Sequence, residues 1–192
     1  MSGDTFSLQE VISNTVLDIP ASHHHCGFHN FNWPSHGLAK AVRGFQSDLS
    51  CGFKSGLVLT GPPGTGKTHL AVALYRWGVL KRGTGHCQFV HLPHLCDMVK
   101  KFDDSADPFA HTESAEYLVV IDDFFGRDLS AWEIDHVLFR LITTIHQNGA
   151  GLILTMNQTV AQMQQVLKMH EVSRILDGAT VLEFTGEDRR LS

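Results

Sequence analysis

The fold of this 192-residue chain is decided by one stretch, Gly61-Pro62-Pro63-Gly64-Thr65-Gly66-Lys67-Thr68. It matches G-x-x-x-x-G-K-[ST], the pattern of a loop that wraps the phosphates of a nucleoside triphosphate. A short β-prone run at 56–60 precedes the loop, and apolar residues at helical spacing follow it from Leu70. The alternative is a glycine-rich turn before an ordinary helix. Both flanks favour phosphate binding, because backbone N–H groups and a helix N-terminus then converge on the phosphates.

The motif assigns a role to each of its polar side chains. Lys67 is expected to reach the β- and γ-phosphates, and Thr68 is expected to place its hydroxyl on Mg²⁺. The candidate nucleotide-binding residues are Gly61, Pro62, Pro63, Gly64, Thr65, Gly66, Lys67, Thr68 and His69.

A second segment, 117–123, is a continuous apolar run that ends in Asp122 and Asp123. An uninterrupted apolar strand is typical of a parallel sheet covered on both faces, and such sheets bind ligands beyond the carboxyl ends of their strands. Asp122 is therefore the candidate for holding Mg²⁺, and Asp123 is the candidate for polarising the attacking water. The alternative is a buried strand followed by an Asp-rich turn. Together, the loop and the carboxylates indicate a nucleotide hydrolase or switch.

The composition limits the classes of protein to consider. With 43% hydrophobic residues the chain can bury one good core, and a net charge of −5 provides no broad basic field for nucleic acid. Four well-separated cysteines indicate reduced thiols rather than a disulfide framework. We find neither a secretory signal nor an apolar run long enough to cross a bilayer. A cytoplasmic protein with no membrane partner is expected.

Residues 1–36 are predicted to form a partly extended N-terminal extension, and residues 37–192 the nucleotide-binding domain. The extension contains three consecutive histidines at 23–25, followed by Cys26 and His29. A zinc site is one interpretation, although no second ligand pair at zinc-finger spacing follows. The favoured interpretation is a segment whose aromatic side chains pack against the core, namely Phe28, Phe31 and Trp33.

Strands alternate with helices along the rest of the chain, which predicts a parallel sheet with right-handed crossovers. Ser130 and Glu133 fit a capping box that opens a helix running to about Gln147. A polar surface loop is expected at 103–114. The predicted strands are 56–60, 86–91, 117–121, 151–155 and 179–184, and the other predicted helices are 37–49, 67–81, 92–102, 159–167 and 170–176.

Asn157 follows the strand predicted at 151–155. A polar side chain there can hold the attacking water or sense the γ-phosphate. The alternative is that Asn157 is a turn residue that caps the helix beginning at Thr159. The residues alone leave both interpretations open.

Four segments together, 61–71, 119–123, 154–157 and 172–176, resemble one family. It comprises the AAA+ ATPases of the bacterial helicase-loader type, DnaC and DnaI, and the closely related IstB-type transposition helper ATPases. The resemblance covers roughly residues 28–192. It implies an α/β, three-layer P-loop NTPase (AAA+/ASCE) core with a five-stranded parallel sheet of order 5-1-4-3-2 and no separate lid domain.

The resemblance implies ATP or ADP with Mg²⁺ as the bound species. It gives the roles stated above to the phosphate loop and to the two aspartates. It adds Asn157 as a first sensor and Arg174 as an arginine finger that reaches the γ-phosphate of a neighbouring subunit. A surface salt bridge is the alternative for Arg174.

The expected function is an ATPase that loads a replicative DNA helicase of the DnaB type on single-stranded DNA. ATP would act as the assembly switch of a homo-oligomer. Two alternatives remain, an IstB-like transposition helper assembling on duplex DNA and a nucleotide-bound adaptor with negligible hydrolysis. Paired aspartates and a finger supplied by a partner favour slow turnover in the isolated subunit.

Overall fold

The computed structural model describes residues 19–52, 55–101 and 117–188. In these ranges five strands form one sheet. The strands are β1 Gly56–Thr60, β2 Cys87–His91, β3 Leu118–Phe124, β4 Gly151–Met156 and β5 Ala179–Glu183. The helices are α1 His36–Ser50, α2 Lys67–Arg82, α3 Leu92–Lys101, α4 Ala131–Glu133, α5 Phe139–Gln147, α6 Val160–Val166 and α7 Met169–Leu176. Short 3₁₀ turns lie at Ala21–His23, Phe28–Asn30 and Thr84–His86.

The strand order is β2-β3-β4-β1-β5, and every neighbouring pair is parallel. This order confirms the predicted 5-1-4-3-2 arrangement. Because the strands are parallel, their carboxyl ends lie along one edge of the sheet. His91 pairs with Asp122 at that edge, and Thr60 pairs with Met156. The phosphate loop, the two aspartates and the end of β4 are therefore neighbours.

Apolar side chains cover both faces of the sheet. Leu57 and Leu59 of β1 belong to a cluster with α1 and α2, whereas Val58 between them belongs to a cluster with α5 and α7 on the other face. All three side chains are fully buried. Burying such a side chain contributes about 1.5–3 kcal/mol, so β1 is firmly held just before the loop that it leads into.

The helical segment that begins after Ser130 is less regular than the single helix predicted from the sequence. Ser130 caps it as predicted, with its side chain accepting from the backbone N–H of Glu133. A π-helical turn, Ile134–Leu138, then separates α4 from α5, and the N–H of Phe139 donates to the carbonyl of Ile134. Such a turn inserts one residue into the helical repeat, and periodicity alone does not predict it.

Strand β3 extends to Phe124, beyond the predicted end at residue 121. Its pairing with β4 shifts register between Ile121 and Phe124. Both aspartates lie in this irregular part, where a bulge redirects side chains. The predicted loop at 103–114 lies outside the described residues.

The described part of the extension, residues 19–36, packs onto helix α2. Phe31 is buried, and Phe28 and Trp33 pack against the same core cluster, which confirms the prediction for these aromatic residues. Arg76 of α2 donates hydrogen bonds to the backbone carbonyls of His24 (2.5 Å) and Cys26 (2.9 Å). Within the described ranges, every helix is too short or too polar to span a bilayer.

Candidate nucleotide-binding site

The loop between β1 and α2 surrounds the Lys67 side chain. Its Nζ donates to the carbonyls of Gly61 (2.7 Å) and Pro62 (2.6 Å), and the residue is only 6% exposed. The hydroxyl of Thr65 donates to the carbonyl of Pro62 at 2.8 Å. Gly66 precedes the helix with φ 102°, in the left-handed region that favours glycine. Lys67 is thus a buried cation at a helix N-terminus, where anions are stabilised.

Asp122 is the most buried carboxylate near this loop, with an exposed fraction of 4%. Its Oδ1 accepts hydrogen bonds from the hydroxyls of Thr68 (2.9 Å) and Thr155 (2.7 Å). Burial raises the pKa of Asp122, and the two hydroxyl donors partly oppose that rise. The carboxylate of Asp122 and the hydroxyl of Thr68 are therefore in direct contact, and their assignment to Mg²⁺ stays a prediction.

Asp123 has a different environment from its neighbour. Its φ of 58° is in the left-handed region, and its N–H donates to the hydroxyl of Thr155 at 3.0 Å. The side chain is 38% exposed. Thr155 thus binds the side chain of Asp122 and the backbone of Asp123 together, so the exposed carboxylate is held beside the buried one.

These groups open into a cleft of about 890 Å³. That volume lies within the ~300–1,000 Å³ typical of ligand sites. The side of the cleft formed by the strand edge and the loop is lined by Pro63, Gly64, Gly66, Lys67, Thr68, His69, His91, Asp122, Asp123, Thr155, Met156 and Asn157.

The extension forms the other side of the cleft, through Pro20, Ser22, His23, His25, Cys26, Asn30, Phe31 and Asn32. His69 joins the two sides. Its Nε2 lies 3.0 Å from the carbonyl of Gly27 and 3.0 Å from Oδ1 of Asn30. Its ring also packs edge-on to Phe31, with the ring centroids 5.3 Å apart. His69 thus lines the cleft while its ring nitrogen contacts the extension, and its role in nucleotide binding stays a prediction.

Asn157 is exposed and lines the cleft just after β4. The cap of α6 is Thr159, whose side chain accepts from the backbone N–H of Gln162. Asn157 therefore lines the cleft and does not cap α6, and its role in holding water or sensing the γ-phosphate stays a prediction. The strand-end side chain that contacts the aspartates is Thr155, which was not among the residues expected in the site.

Arg174 is half-buried in α7 and is not among the described residues that line the cleft. Its guanidinium donates to the hydroxyl of Thr143 at 3.0 Å and lies over the ring of Phe139, 5.4 Å from its centroid. The structure thus separates Arg174 from its own subunit's phosphate loop.

Local sequence patterns do not reveal two residues of the site, Thr155 and His91. Thr155 looks like an ordinary β-branched residue of a buried strand. His91 ends β2, and its Nε2 lies 3.7 Å from Oδ2 of Asp123. Only the pairing of β2 with β3 brings the side chains of His91 and Asp123 together, and nothing in the local sequence indicates this pairing.

The donor set fits a magnesium ion bound together with nucleotide phosphates. Mg²⁺ prefers oxygen ligands and commonly takes one or two carboxylates plus phosphate oxygens. Thr68 and Asp122 present such oxygens at the start of α2. Over the described ranges no group of three or more His, Cys, Asp or Glu side chains is arranged to hold a metal, the histidine-rich segment included.

Solved structures share this fold. The crystal structure of the DnaC helicase loader superposes with a TM-score of 0.70 at 22% identity, covering 86% of this chain and all of that chain. The crystal structure of DnaI also gives 0.70, at 21% identity, over 90% of this chain and 94% of that one. AMPPCP-bound DnaA from Aquifex aeolicus gives 0.64 at 21% identity, over 86% of this chain and 51% of that one. The fold and the phosphate loop define a P-loop domain of the AAA+ class.

The sequence assigns the family within that class. The family described as IstB-like ATP-binding protein matches residues 16–192, and the chain belongs to it. An IS21 insertion-sequence ATP-binding protein of Pseudomonas aeruginosa is 32% identical in an alignment of 142 positions that covers 70% of this chain. The chain spans about half of that relative's length, 52%.

Proposed function

We propose that this chain is a magnesium-dependent ATPase that uses ATP binding to assemble with copies of itself. The observation that carries the proposal is the contact of Thr68 and Thr155 with Asp122, next to the exposed carboxylate of Asp123. A buried carboxylate for the metal and an exposed one for water are the two parts that hydrolysis needs beside a phosphate loop.

Each residue has a distinct task in this proposal. Lys67 exchanges the carbonyls of Gly61 and Pro62 for phosphate oxygens, because an ammonium group forms stronger hydrogen bonds with anions. Thr68 and Asp122 hold Mg²⁺, which when bound neutralises charge on the β- and γ-phosphates. Asp123 accepts a proton from the attacking water.

The position of Arg174 supports catalysis between subunits. It lies outside the cleft of its own chain, so a contact with a γ-phosphate requires a neighbouring copy. An arginine that contacts the γ-phosphate stabilises the negative charge of the transition state. Slow turnover in isolated subunits and faster turnover in the assembly follow from this arrangement.

The family match favours the transposition helper as the biological setting. The matching relative is an insertion-sequence protein, and the family profile covers nearly the whole chain. We therefore propose assembly on duplex DNA in the presence of ATP. With a net charge of −5 the subunit has no broad positive field, so this proposal requires a locally basic surface on the assembled oligomer to bind DNA.

Helicase loading on single-stranded DNA is the second candidate. The fold likeness to DnaC and DnaI extends over at least 86% of this chain, which motivates the comparison of the two functions. A replicative helicase of the DnaB type would then be the partner. A nucleotide-bound adaptor would differ from the transposition helper and the helicase loader by having no measurable ATP turnover.

The test combines hydrolysis and assembly. Phosphate release is measured for the wild type, Lys67→Ala and Asp123→Asn, alone and with duplex or single-stranded DNA. We expect Lys67→Ala to lose ATP binding and Asp123→Asn to bind ATP without hydrolysing it. Wild-type turnover equal to that of Lys67→Ala under every condition would contradict the ATPase proposal.

Electron microscopy with a non-hydrolysable ATP analogue then distinguishes the transposition helper from the helicase loader. Ordered oligomers on duplex DNA support the transposition helper. Co-elution with a DnaB-type helicase, without assembly on duplex DNA, supports the loader instead.

A further inference from the structure

Helices α5 and α7 are linked by three side-chain pairs in register. The pairs are Phe139 with His170, Thr143 with Arg174, and His146 with Asp177, the residue that follows α7. The two members of every pair are 31 positions apart in the sequence, so the two helices run in the same direction. The middle pair contains the arginine proposed to act in the neighbouring subunit.

Packing beneath these pairs fixes the main chain of Arg174. Four apolar side chains of the two helices belong to one buried cluster and are at most 3% exposed, namely Ile142, Ile145, Val172 and Ile175. Their burial holds α7 against α5. The place of the guanidinium then depends on the rotation of the long Arg174 side chain itself.

Two contacts restrict that side chain. Nη1 of Arg174 donates to Oγ1 of Thr143 at 3.0 Å, and the guanidinium carbon lies 5.4 Å from the centroid of the Phe139 ring. Phe139 and Thr143 lie on the same face of α5, because residues four positions apart are neighbours on a helix. Both contacts are within one chain, so they reduce the side-chain entropy that Arg174 loses when it contacts a second molecule.

Both groups that hold the guanidinium are neutral. A hydroxyl and an aromatic ring leave its positive charge uncompensated, whereas a carboxylate would cancel much of that charge. Over the described ranges, no carboxylate forms an ion pair with Arg174. A guanidinium has several N–H donors, and it binds phosphate oxygens through paired hydrogen bonds. Arg174 is therefore ordered without losing the charge that a phosphate requires.

We propose that Thr143 is a positioning residue for Arg174, which sets the direction from which the guanidinium meets the γ-phosphate of a neighbouring copy. This inference rests on the proposed ATP hydrolysis between subunits. An arginine displaced by about 1 Å loses much of its effect on the transition state, because its hydrogen bonds depend on distance and angle. Removing the hydroxyl of Thr143 therefore lowers turnover in the assembly and leaves ATP binding and assembly unchanged.

The experiment compares Thr143→Val, Thr143→Ser and the control Thr144→Val in the assembled state, with ATP and DNA. Valine has nearly the shape of threonine without the acceptor oxygen, and Thr144 is the next residue of α5, also half-buried. We expect Thr143→Val to lower kcat roughly tenfold, with the Kd for an ATP analogue within about twofold of wild type and the same oligomer by analytical ultracentrifugation. Thr143→Ser should recover most of the rate, and Thr144→Val should match the wild type.

Mixed oligomers show which side of the subunit contact is affected. Thr143→Val keeps an intact cleft and Lys67→Ala keeps a correctly held Arg174, so a mixture of these two variants should regain turnover. A mixture of Thr143→Val and Arg174→Ala should stay slow, because neither variant presents a correctly held arginine. A substitution that damages the cleft of its own subunit gives the opposite pattern, and that pattern overturns the proposal.

The wild type, Lys67→Ala and Arg174→Ala are measured beside these variants. Wild-type turnover no greater than that of Lys67→Ala overturns the proposed ATPase function, and wild-type turnover in Arg174→Ala overturns catalysis between subunits. A slow Arg174→Ala with an unchanged kcat in Thr143→Val overturns only the role of Thr143. A loss of assembly that accounts for the whole rate loss makes Thr143 an interface contact and also overturns the positioning role, as does Thr143→Ser being as slow as Thr143→Val.

Discussion

Thr68 donates a 2.9 Å hydrogen bond to Asp122, although 54 positions separate the two residues in the sequence. The bond joins the first turn of α2 to the carboxyl end of β3. It places a hydroxyl oxygen and a carboxylate oxygen side by side next to the phosphate loop. The bond thus brings together the two oxygens assigned to the proposed metal site.

The cost of burying Asp122 leads to a stability prediction. Burial raises the pKa of this carboxyl group. At a pH below the usual aspartate pKa the group is protonated in both the folded and the unfolded states, and burial carries no charge penalty. As the pH rises through the raised pKa, the folded protein acquires a buried charge and its stability falls.

Asp122→Asn should therefore unfold at a higher temperature than the nucleotide-free wild type at pH 7, with a difference that grows as the pH rises from 4. The same variant should lose the Mg²⁺ dependence of ATP affinity. Thermal unfolding across this pH range and titration with and without Mg²⁺ measure both effects. Asp128→Asn, a substitution at an exposed position, is the control. An Asp122→Asn protein with a lower unfolding temperature than the wild type would contradict a net cost of burying this charge.

Gly126 is predicted to be essential for turnover but not for binding. A Cβ at this position would meet Oδ2 of Asp123 at 1.9 Å, so Gly126→Ala must displace that carboxylate. We expect kcat to fall roughly a hundredfold and the Kd for ATP to stay within about threefold. Gly85→Ala is the matched control, because a Cβ at Gly85 has no neighbour within 4 Å. Equal kcat values in the two variants would contradict the assignment of Asp123.

The buried carboxylate of Glu133 is predicted to stabilise the turn after β3. It accepts from Arg127 (2.5 Å), from the backbone N–H of Ser130 (2.7 Å) and from its hydroxyl (2.7 Å). Lys100 of α3 lies 3.1 Å away. The hydrogen bond from Arg127 holds the pKa of Glu133 well below its usual range. Its stabilising effect is present at neutral pH and is lost as the pH falls through that lowered pKa.

Glu133→Gln should lower the free energy of unfolding by about 2 kcal/mol at pH 7, the scale of a hydrogen bond to a charged group. The difference from wild type should shrink as the pH falls below the usual glutamate range. Urea denaturation at several pH values measures it, with Asp48→Asn on the exposed side of α1 as the control. A difference independent of pH would show that the charge of Glu133 is not what stabilises the turn.

Arg174 is predicted to act in the neighbouring subunit. Arg174→Ala should bind ATP with the wild-type Kd, while turnover in the assembled state falls roughly a thousandfold. A mixture of Arg174→Ala and Lys67→Ala subunits should regain activity, since one variant keeps an intact cleft and the other keeps the arginine. Activity of the mixture equal to the sum of the separate proteins would leave Arg174 with only its contacts to Thr143 and Phe139.

Much of this architecture follows from local sequence patterns. Continuous apolar runs locate the strands, and the capping residue Ser130 locates a helix start, because these signals involve neighbours in the chain. The cap of α6 is Thr159 and not Asn157, the residue considered for it from the sequence. The sheet order followed from the family resemblance. The bulge at Asp123 and the π turn at Ile134–Leu138 leave no comparable local signal.

The missed parts of the site depend on distant pairings. Thr155 contacts Asp122 only because β4 lies beside β3, and His91 approaches Asp123 only because β2 lies on the other side. No local sequence pattern assigns a role to Arg76. In the structure it binds two backbone carbonyls of the extension. Such roles require knowledge of tertiary neighbours.

The extension along the cleft has a practical consequence for experiments on this protein. Eight of the residues that line the cleft precede residue 36. His69 and Arg76 of α2 hold the backbone of this segment through hydrogen bonds to its carbonyl groups. An expression clone trimmed to start at the first long helix would discard one whole side of the binding cavity. A weak nucleotide affinity measured on such a shortened polypeptide would reflect the trimming rather than the phosphate loop.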